Sequence, residues 1–228
     1  MIIEMYKFEI VSLDMFQTLV NVDSRIEQIW KPILMRAYTH TTANENARLL
    51  LDYFMDHWMQ LRETSQFFLL KEVYERSFSS VFQDKNITYA IKEANQILLE
   101  EHTRSAFYED TVEFLNRISK KYITCIVSDA DEAMLPRFYE EYGIHMFNSE
   151  QYHSYKNDEN NTMFKQLLKS YNADPSKVIH IGDSFSDVAG AKREGITACW
   201  LNRDKKTWEY ELKPDFEIES LRDFDDIL

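Results

Sequence analysis

Two periodicities alternate along this chain. Phe8, Ile10, Val11 and Leu13 form a short β-leaning run over residues 7–13, which predicts a first strand ending at Asp14. From about Ser24 to Tyr38 the period turns helical, with Ile26, Ile29, Trp30 and Ile33 at i, i+3, i+4 and i+7. Asp23 or Ser24 is the expected N-cap. Pro32, which has no amide N–H to give, predicts a kinked or divided helix. Further helical stripes follow: Leu51, Phe54, Met55 and Trp58; Tyr74, Phe78, Val81 and Phe82; Ile91, Ala94 and Leu98. Residues 20–105 read as helix after helix with no clear strand.

After Phe107 helix and strand alternate. Thr111, Phe114, Leu115 and Ile118 mark a helix, and Tyr122–Val127 is an apolar strand ending in Ser128-Asp129. Phe138 and Tyr139 sit in a helical stretch before a short apolar piece at Met146-Phe147. Phe164, Leu167, Leu168 and Tyr171 form a stripe closed by Asp174-Pro175. Val178–Ile181 is a strand feeding Gly182-Asp183-Ser184, Ile196–Leu201 is another, and Phe216–Ile218 is a short last one. Strands alternating with helices predict βαβ units and a parallel sheet. The expected fold class is therefore α/β: a Rossmann-like, three-layer parallel-sheet core from residues 1–19 and 106–228, with residues 20–105 inserted as a small all-helical domain. Trp30, Met55, Trp58, Met59, Phe67 and Phe68 are read as packing a four-helix core in that insert.

Composition narrows the function classes. A formal charge of −13 over 228 residues, without a basic run, argues against a phosphate-backbone binder, so no nucleic-acid partner is expected. The 44% hydrophobic content is that of a folded globular protein. Cys125 and Cys199 lie within apolar runs and are read as buried free thiols, which suit a reducing compartment. With no signal-peptide pattern at Met-Ile-Ile-Glu and no membrane-length apolar stretch, a cytoplasmic protein without a membrane partner is expected.

The chemistry collects at strand ends, where ligands bind in open α/β sheets. Four signals line up in order: Asp14-Met15-Phe16-Gln17-Thr18, Ser128-Asp129, Lys156, and Gly182-Asp183-Ser184-Phe185-Ser186-Asp187. In this order they resemble the four motifs of the haloacid dehalogenase superfamily, most of whose members are magnesium-dependent phosphatases, and the helical insert is similar to that superfamily's cap. The resemblance implies that Asp14 is a nucleophile that passes through an aspartyl-phosphate. It implies that Lys156 is the fixed cation beside it and that Ser128 donates to a phosphoryl oxygen, with Thr18 and Asp129 completing the phosphate-binding set. It also implies a Mg2+ site of Asp14, Asp183, the backbone carbonyl of Phe16, and Asp187 either directly or through water. The implied partner is a small phosphorylated metabolite, and the chain is a monomer or homodimer. Taken alone, Asp187 could instead cap a helix beginning near Val188, Lys156 could be an ordinary surface lysine, and His180 reads as a packed core histidine. Three of the four glycines, Gly182, Gly190 and Gly195, cluster in the fourth motif and the helix after it, where close backbone approach is needed.

Two positions depart from the pattern. Phe16 stands where the superfamily's phosphatases carry a second Asp as general acid/base. That puts about 10²–10⁴-fold of proton-transfer assistance in doubt unless the insert or the substrate supplies the proton. Gln17 replaces a small residue, typically Gly, and would crowd the loop or donate a hydrogen bond. Phe16 keeps two alternatives open. One is a metal-independent 2-haloacid dehalogenase, whose substrate carboxylate would need an arginine such as Arg25 or Arg36. The other is a non-catalytic binding or regulatory member. The intact Gly-Asp-x-x-x-Asp form of the fourth motif favours phosphate over halide.

Overall fold

The computed structural model describes residues 7–64 and 66–227. In chain order the elements are β1 (Ile10–Leu13), β2 (Val20–Asn21), α1 (Ile26–Leu34), α2 (His40–Arg62), α3 (Leu70–Lys85), α4 (Ile91–His102), β3 (Ala106–Phe107), α5 (Thr111–Ile118) and β4 (Ile123–Ser128). There follow α6 (Phe138–Glu141), β5 (His145–Asn148), α7 (Ser149–Tyr152), α8 (Thr162–Tyr171), β6 (Val178–Gly182), α9 (Phe185–Arg193), β7 (Thr197–Leu201) and β8 (Phe216–Ile218). The chain divides into two compact units. One holds the chain up to Asn21, Phe107–Asp129 and everything from Phe138 on. The other holds Val22–Ala106 together with Ala130–Arg137.

The first unit is a Rossmann-like α/β core. Its six-stranded sheet has the order β5-β4-β1-β6-β7-β8, and every pairing is parallel. Strands covered on both faces read as unbroken apolar runs rather than as alternations, and β1 and β6 are buried along their whole length. The core between sheet and helices is filled by Val127, Phe147, Met163, Phe164, Leu167, Val188 and Trp200 among others. Cys125 and Cys199 are buried free thiols whose pKa values are pushed up by burial. From the central β1 the sheet grows to β4 and β5 on one side and to β6, β7 and β8 on the other. The strand order therefore reverses beside β1, which is where open α/β sheets leave a crevice at their carboxyl ends.

Gly182 and Gly190 are required by close approach. A Cβ on Gly182 would stand 2.2 Å from the Asp187 carboxyl carbon, and one on Gly190 would stand 2.2 Å from the Lys156 carbonyl oxygen. Gly190→Ala must push α9 off the loop that carries Lys156. Chemical denaturation is expected to record a loss of about 1–3 kcal/mol, the usual cost of overpacking; an unchanged midpoint would contradict that contact.

The second unit is helical. α1 packs on α2 and α4, α2 on α3, and α3 on α4. Trp30 is buried against Phe78, with ring centroids 5.8 Å apart. The N-terminus of α3 is capped from outside the helix: the backbone amides of Leu70 and Lys71 donate to the two carboxylate oxygens of Asp131, at 2.9 and 2.8 Å.

Several local expectations are corrected here. α1 runs through Pro32 and ends two residues later at Leu34, where the helical stretch gives way to a 3-10 turn over Met35–Ala37. Neither Asp23 nor Ser24 caps α1, since residues 22–25 form a 3-10 turn and Ser24 Oγ instead accepts from the Ala106 amide at 3.1 Å. On α2 the buried face is Ala43, Asn46, Leu50, Phe54 and Leu61, whereas Leu51, Met55 and Met59 are exposed. The predicted stripe was therefore turned by one position. Met55 and Met59 do not pack the helical core, while Trp58, Phe67 and Phe68 are half-buried. No helix among the described residues is long and apolar enough to cross a membrane.

Candidate active site

Three adjacent strands deliver carboxylates to the same edge of the sheet. Asp14 follows β1 directly, and its amide donates to the Ile181 carbonyl of β6 at 2.9 Å, which locks its position to the strand that precedes Asp183. Ser128 ends β4 and Asp129 follows it. Asp183 lies between β6 and α9.

Lys156 arrives from the loop between α7 and α8 rather than straight off a strand. It is no surface lysine, being 4% exposed. Its Nζ donates to Asp14 Oδ1 at 2.7 Å and to Asp187 Oδ1 at 2.5 Å, and its backbone amide donates to Asp129 Oδ1 at 2.8 Å. Ser128 Oγ donates to the same Asp14 oxygen at 3.1 Å. Asp14 Oδ1 is thus held by an ammonium and a hydroxyl, while its Oδ2 makes no hydrogen bond among the described residues.

Asp187 is the third residue of α9, whose N-cap is Ser184. The two close a capping box in which Ser184 N and Oγ donate to Asp187 Oδ2 at 3.0 and 2.5 Å. The helix begins at Phe185, not near Val188, and Asp187 is not its N-cap. Its other oxygen takes both Lys156 and His180 Nε2, the latter at 2.9 Å. The Nδ1 of His180 lies 2.8 Å from Ser12 Oγ. A carboxylate partner on Nε2 fixes the proton there, so Nδ1 accepts from the serine hydroxyl. His180 is a packed histidine, edge-on to Phe164, and also the inner support of Asp187.

One oxygen from each of Asp14, Asp183 and Asp187 lies within 4.8 Å of the other two. The charges act on one another accordingly. Burial raises the pKa of Asp14 above the usual carboxylate value, opposed mainly by Lys156. Burial together with the charges of Asp14 and Asp187 pushes Asp183 well above it. Asp129 is pushed up to about 7, by burial first and by Asp187 and Asp14 next, against the pull of Lys156. Burial would raise Asp187 as well, but Lys156 and the His180 hydrogen bond hold it below the usual range. Burial works against the Lys156 ammonium, yet Asp14, Asp187 and Asp129 keep its pKa well above an ordinary lysine's. Among the described residues Lys156 is the only ammonium or guanidinium paired with these carboxylates. Asp183 makes no side-chain hydrogen bond to another residue among them. An oxygen-only donor set with excess negative charge suits a hard divalent cation.

The first-motif loop is fastened by residues that the sequence did not single out. Gln17 has φ +58°, a left-handed conformation that costs a non-glycine residue of order 1 kcal/mol. Its side-chain oxygen accepts from Tyr108 Oη at 2.8 Å. The Arg203 guanidinium lies 4.0 Å from the Tyr108 ring centroid and donates to the Thr18 carbonyl at 2.9 Å. It also makes a two-pronged pair with buried Asp110, 2.9 Å at each contact, and Asp110 accepts from Ser220 Oγ and the Leu221 amide as well. Thr18 is fully buried, and its Oγ1 has no hydrogen-bond partner among the described residues. Phe16 is half-buried and forms an isolated bridge to Val20.

The sequence profile described as haloacid dehalogenase-like hydrolase matches residues 8–195. Among curated proteins, the 5-amino-6-(5-phospho-D-ribitylamino)uracil phosphatase YigB of Escherichia coli (strain K12) is 33% identical over 64 residues. That match spans 26% of this chain and only 27% of the relative. Among solved structures, the HAD-hydrolase YfnB of Bacillus subtilis, bound to magnesium, superposes with TM-score 0.82 at 16% identity, covering 98% of this chain and 99% of that one. The L-2-haloacid dehalogenase of Xanthobacter autotrophicus with chloropropionic acid covalently bound gives TM-score 0.80 at 14% identity, covering 96% and 98%. At such identities the structural likeness speaks for the fold alone.

Proposed function

The chain belongs to the haloacid dehalogenase-like hydrolases, and within that family we propose that it is a magnesium-dependent phosphohydrolase of small phosphorylated metabolites. The observation that carries this reading is Asp183. It is a carboxylate held among Asp14 and Asp187 with no side-chain partner of its own, and one lysine serves the whole group. A halide-displacing enzyme has no use for that excess of negative charge, whereas a cation shared with a phosphate offsets it. Asp14, Asp183 and the Phe16 carbonyl would hold Mg2+. Asp187, whose oxygens already accept from Lys156, His180 and Ser184, would serve as its outer support. When bound, the ion supplies electrostatic stabilisation of the phosphoryl oxygens.

The chain's own residues do the rest. Lys156 and Ser128 anchor Asp14 Oδ1, which leaves Oδ2 aimed for attack on phosphorus. The P–O bond to the leaving group breaks, an aspartyl-phosphate forms on Asp14, and water hydrolyses it. Lys156 offsets the repulsion between the nucleophile and its anionic substrate, and Ser128 is within reach of a phosphoryl oxygen once it turns from Asp14. The 33% identity to the phosphatase YigB over 64 residues supports the same reading.

The test is hydrolysis of p-nitrophenyl phosphate with magnesium and with EDTA. Turnover should require the metal and vanish on chelation. Phe16 favours one competitor, a metal-independent C–halogen hydrolase. Its arginine requirement is poorly served: the Arg25 guanidinium is committed to Glu101 within the helical unit, and Arg36 is exposed. Halide release from 2-chloropropionate in EDTA, with no phosphate-ester turnover, would establish that competitor instead.

A further inference from the structure

Phe16 removes the family's usual proton donor, so the donor must come from somewhere else on the chain. Asp129 is placed to replace it. It directly follows Ser128, whose hydroxyl touches Asp14. Its Oδ1 is pinned by the backbone amide of Lys156, the residue whose ammonium touches Asp14 and Asp187. Its Oδ2 makes no hydrogen bond among the described residues, and the residue is part-exposed. It is therefore a carboxyl group with one oxygen fixed and one available, attached to both residues that hold the nucleophile.

We propose that Asp129 is the general acid/base of this enzyme, protonating the leaving-group oxygen and then deprotonating the hydrolytic water. This rests on the phosphohydrolase reading and deepens it. As Asp14 Oδ2 bonds to phosphorus and the P–O bond to the leaving group breaks, the proton on Asp129 Oδ2 passes to that oxygen, and the alcohol departs neutral. Water then attacks the aspartyl-phosphate and gives its proton to Asp129. Phosphate leaves, and both carboxyl groups return to their starting states.

The electrostatics fit the task. An ionised carboxylate beside a phosphoryl group would repel it, so only the protonated form is useful in the first step. The groups facing Asp129 are Lys156 from the α7–α8 loop, Asp14 after β1 and Asp187 on α9. Burial and the two acids outweigh the lysine and set its pKa to about 7, where a general acid/base works best near neutral pH.

The experiment compares wild type, Asp129→Asn and Asp14→Asn in magnesium against two aryl esters, p-nitrophenyl phosphate and phenyl phosphate. Phenoxide is the more basic leaving group and needs the proton. Asp129→Asn keeps an acceptor for the Lys156 amide, so the loop stays in place. Its kcat/KM on phenyl phosphate should fall about 10²–10⁴-fold, and its kcat/KM on p-nitrophenyl phosphate by roughly tenfold or less. The wild-type decline of phenyl phosphate turnover above pH 7 should be absent in the variant; the substrate's own ionisation is common to both enzymes and cancels. Equal losses on both esters, or no loss, would overturn the assignment while leaving the phosphatase reading intact. A wild type as inert as Asp14→Asn on both esters would instead remove the reading itself, and the assignment with it.

Discussion

Asp14→Asn leaves a folded protein whose p-nitrophenyl phosphate turnover is down by at least ~10³-fold, because an amide cannot form the phosphoryl-enzyme bond. The geometry makes this the largest single activity effect. Asp14 is where Lys156 and Ser128 converge, and on the proposed reading its Oδ2 is the oxygen that bonds to phosphorus. Fold and activity separate in this variant, since Asn keeps the size of Asp and retains an acceptor for Lys156. The pH dependence of stability supplies a second readout. The Asp14 pKa is raised, by burial first, in the folded state. Its contribution to stability is therefore full below the ordinary carboxylate pKa and is lost as pH rises through the raised folded value. The variant does not carry that penalty, so its stability relative to wild type improves in denaturant titrations as pH rises from the ordinary carboxylate value through the raised folded one. Phosphate release at the wild-type rate would end the assignment of Asp14 as nucleophile.

What could be read from the sequence is what periodicity and strand ends encode. β1, β4, β6 and β7 are apolar runs because both faces of a parallel sheet are covered. Asp14, Asp129 and Asp183 each sit one residue past a strand because ligand crevices open there. The glycines, too, were informative: Gly182 and Gly190 abut Asp187 and Lys156, so their sequence clustering recorded contacts around the site.

What could not be read is whatever depends on contacts distant in sequence. No local pattern tells that Arg203 reaches back to the Thr18 carbonyl and to Asp110, or that Tyr108 stabilises a left-handed Gln17. His180 looked like a core residue because it alternates with buried isoleucines in β6. Only its pairing across β1 puts Ser12 on one ring nitrogen, and only the start of α9 puts Asp187 on the other. Local rules also misjudged the helical unit. A heptad-like count on α2 cannot distinguish Leu50 from Leu51, and it is the packing of α2 on α3 that decides which of them is buried.

Lys156→Met is expected to cost about 3–5 kcal/mol of stability at pH 7 in the absence of metal, together with a loss of about 10²–10³-fold in kcat/KM. An ordinary surface lysine would give at most about 1 kcal/mol. The difference arises because this ammonium sits 2.7 Å from Asp14 and 2.5 Å from Asp187, with every partner buried, so its removal strands like charges in a place water does not reach. Methionine retains the unbranched stem and most of the volume, so the loss reports the charge rather than a cavity. The pH dependence has a definite sign. The lysine's folded pKa is raised by its acids, so its contribution is complete below the ordinary lysine value and fades only as pH rises through the raised one. Below neutrality the acids decide the outcome. Asp183 and Asp14 take up protons at higher pH than ordinary carboxylates, so the deficit narrows as pH falls from 7 toward 5. Lys156→Arg should not rescue activity, because a planar fork cannot replace a compact ammonium that serves two oxygens from a buried position. Urea titrations of the methionine variant at both pH values, read beside kcat/KM, decide the matter. Wild-type stability at pH 7 would mean that Asp14, Asp183 and Asp187 are not held together by this lysine, and the site drawn here would have to be rebuilt around another cation.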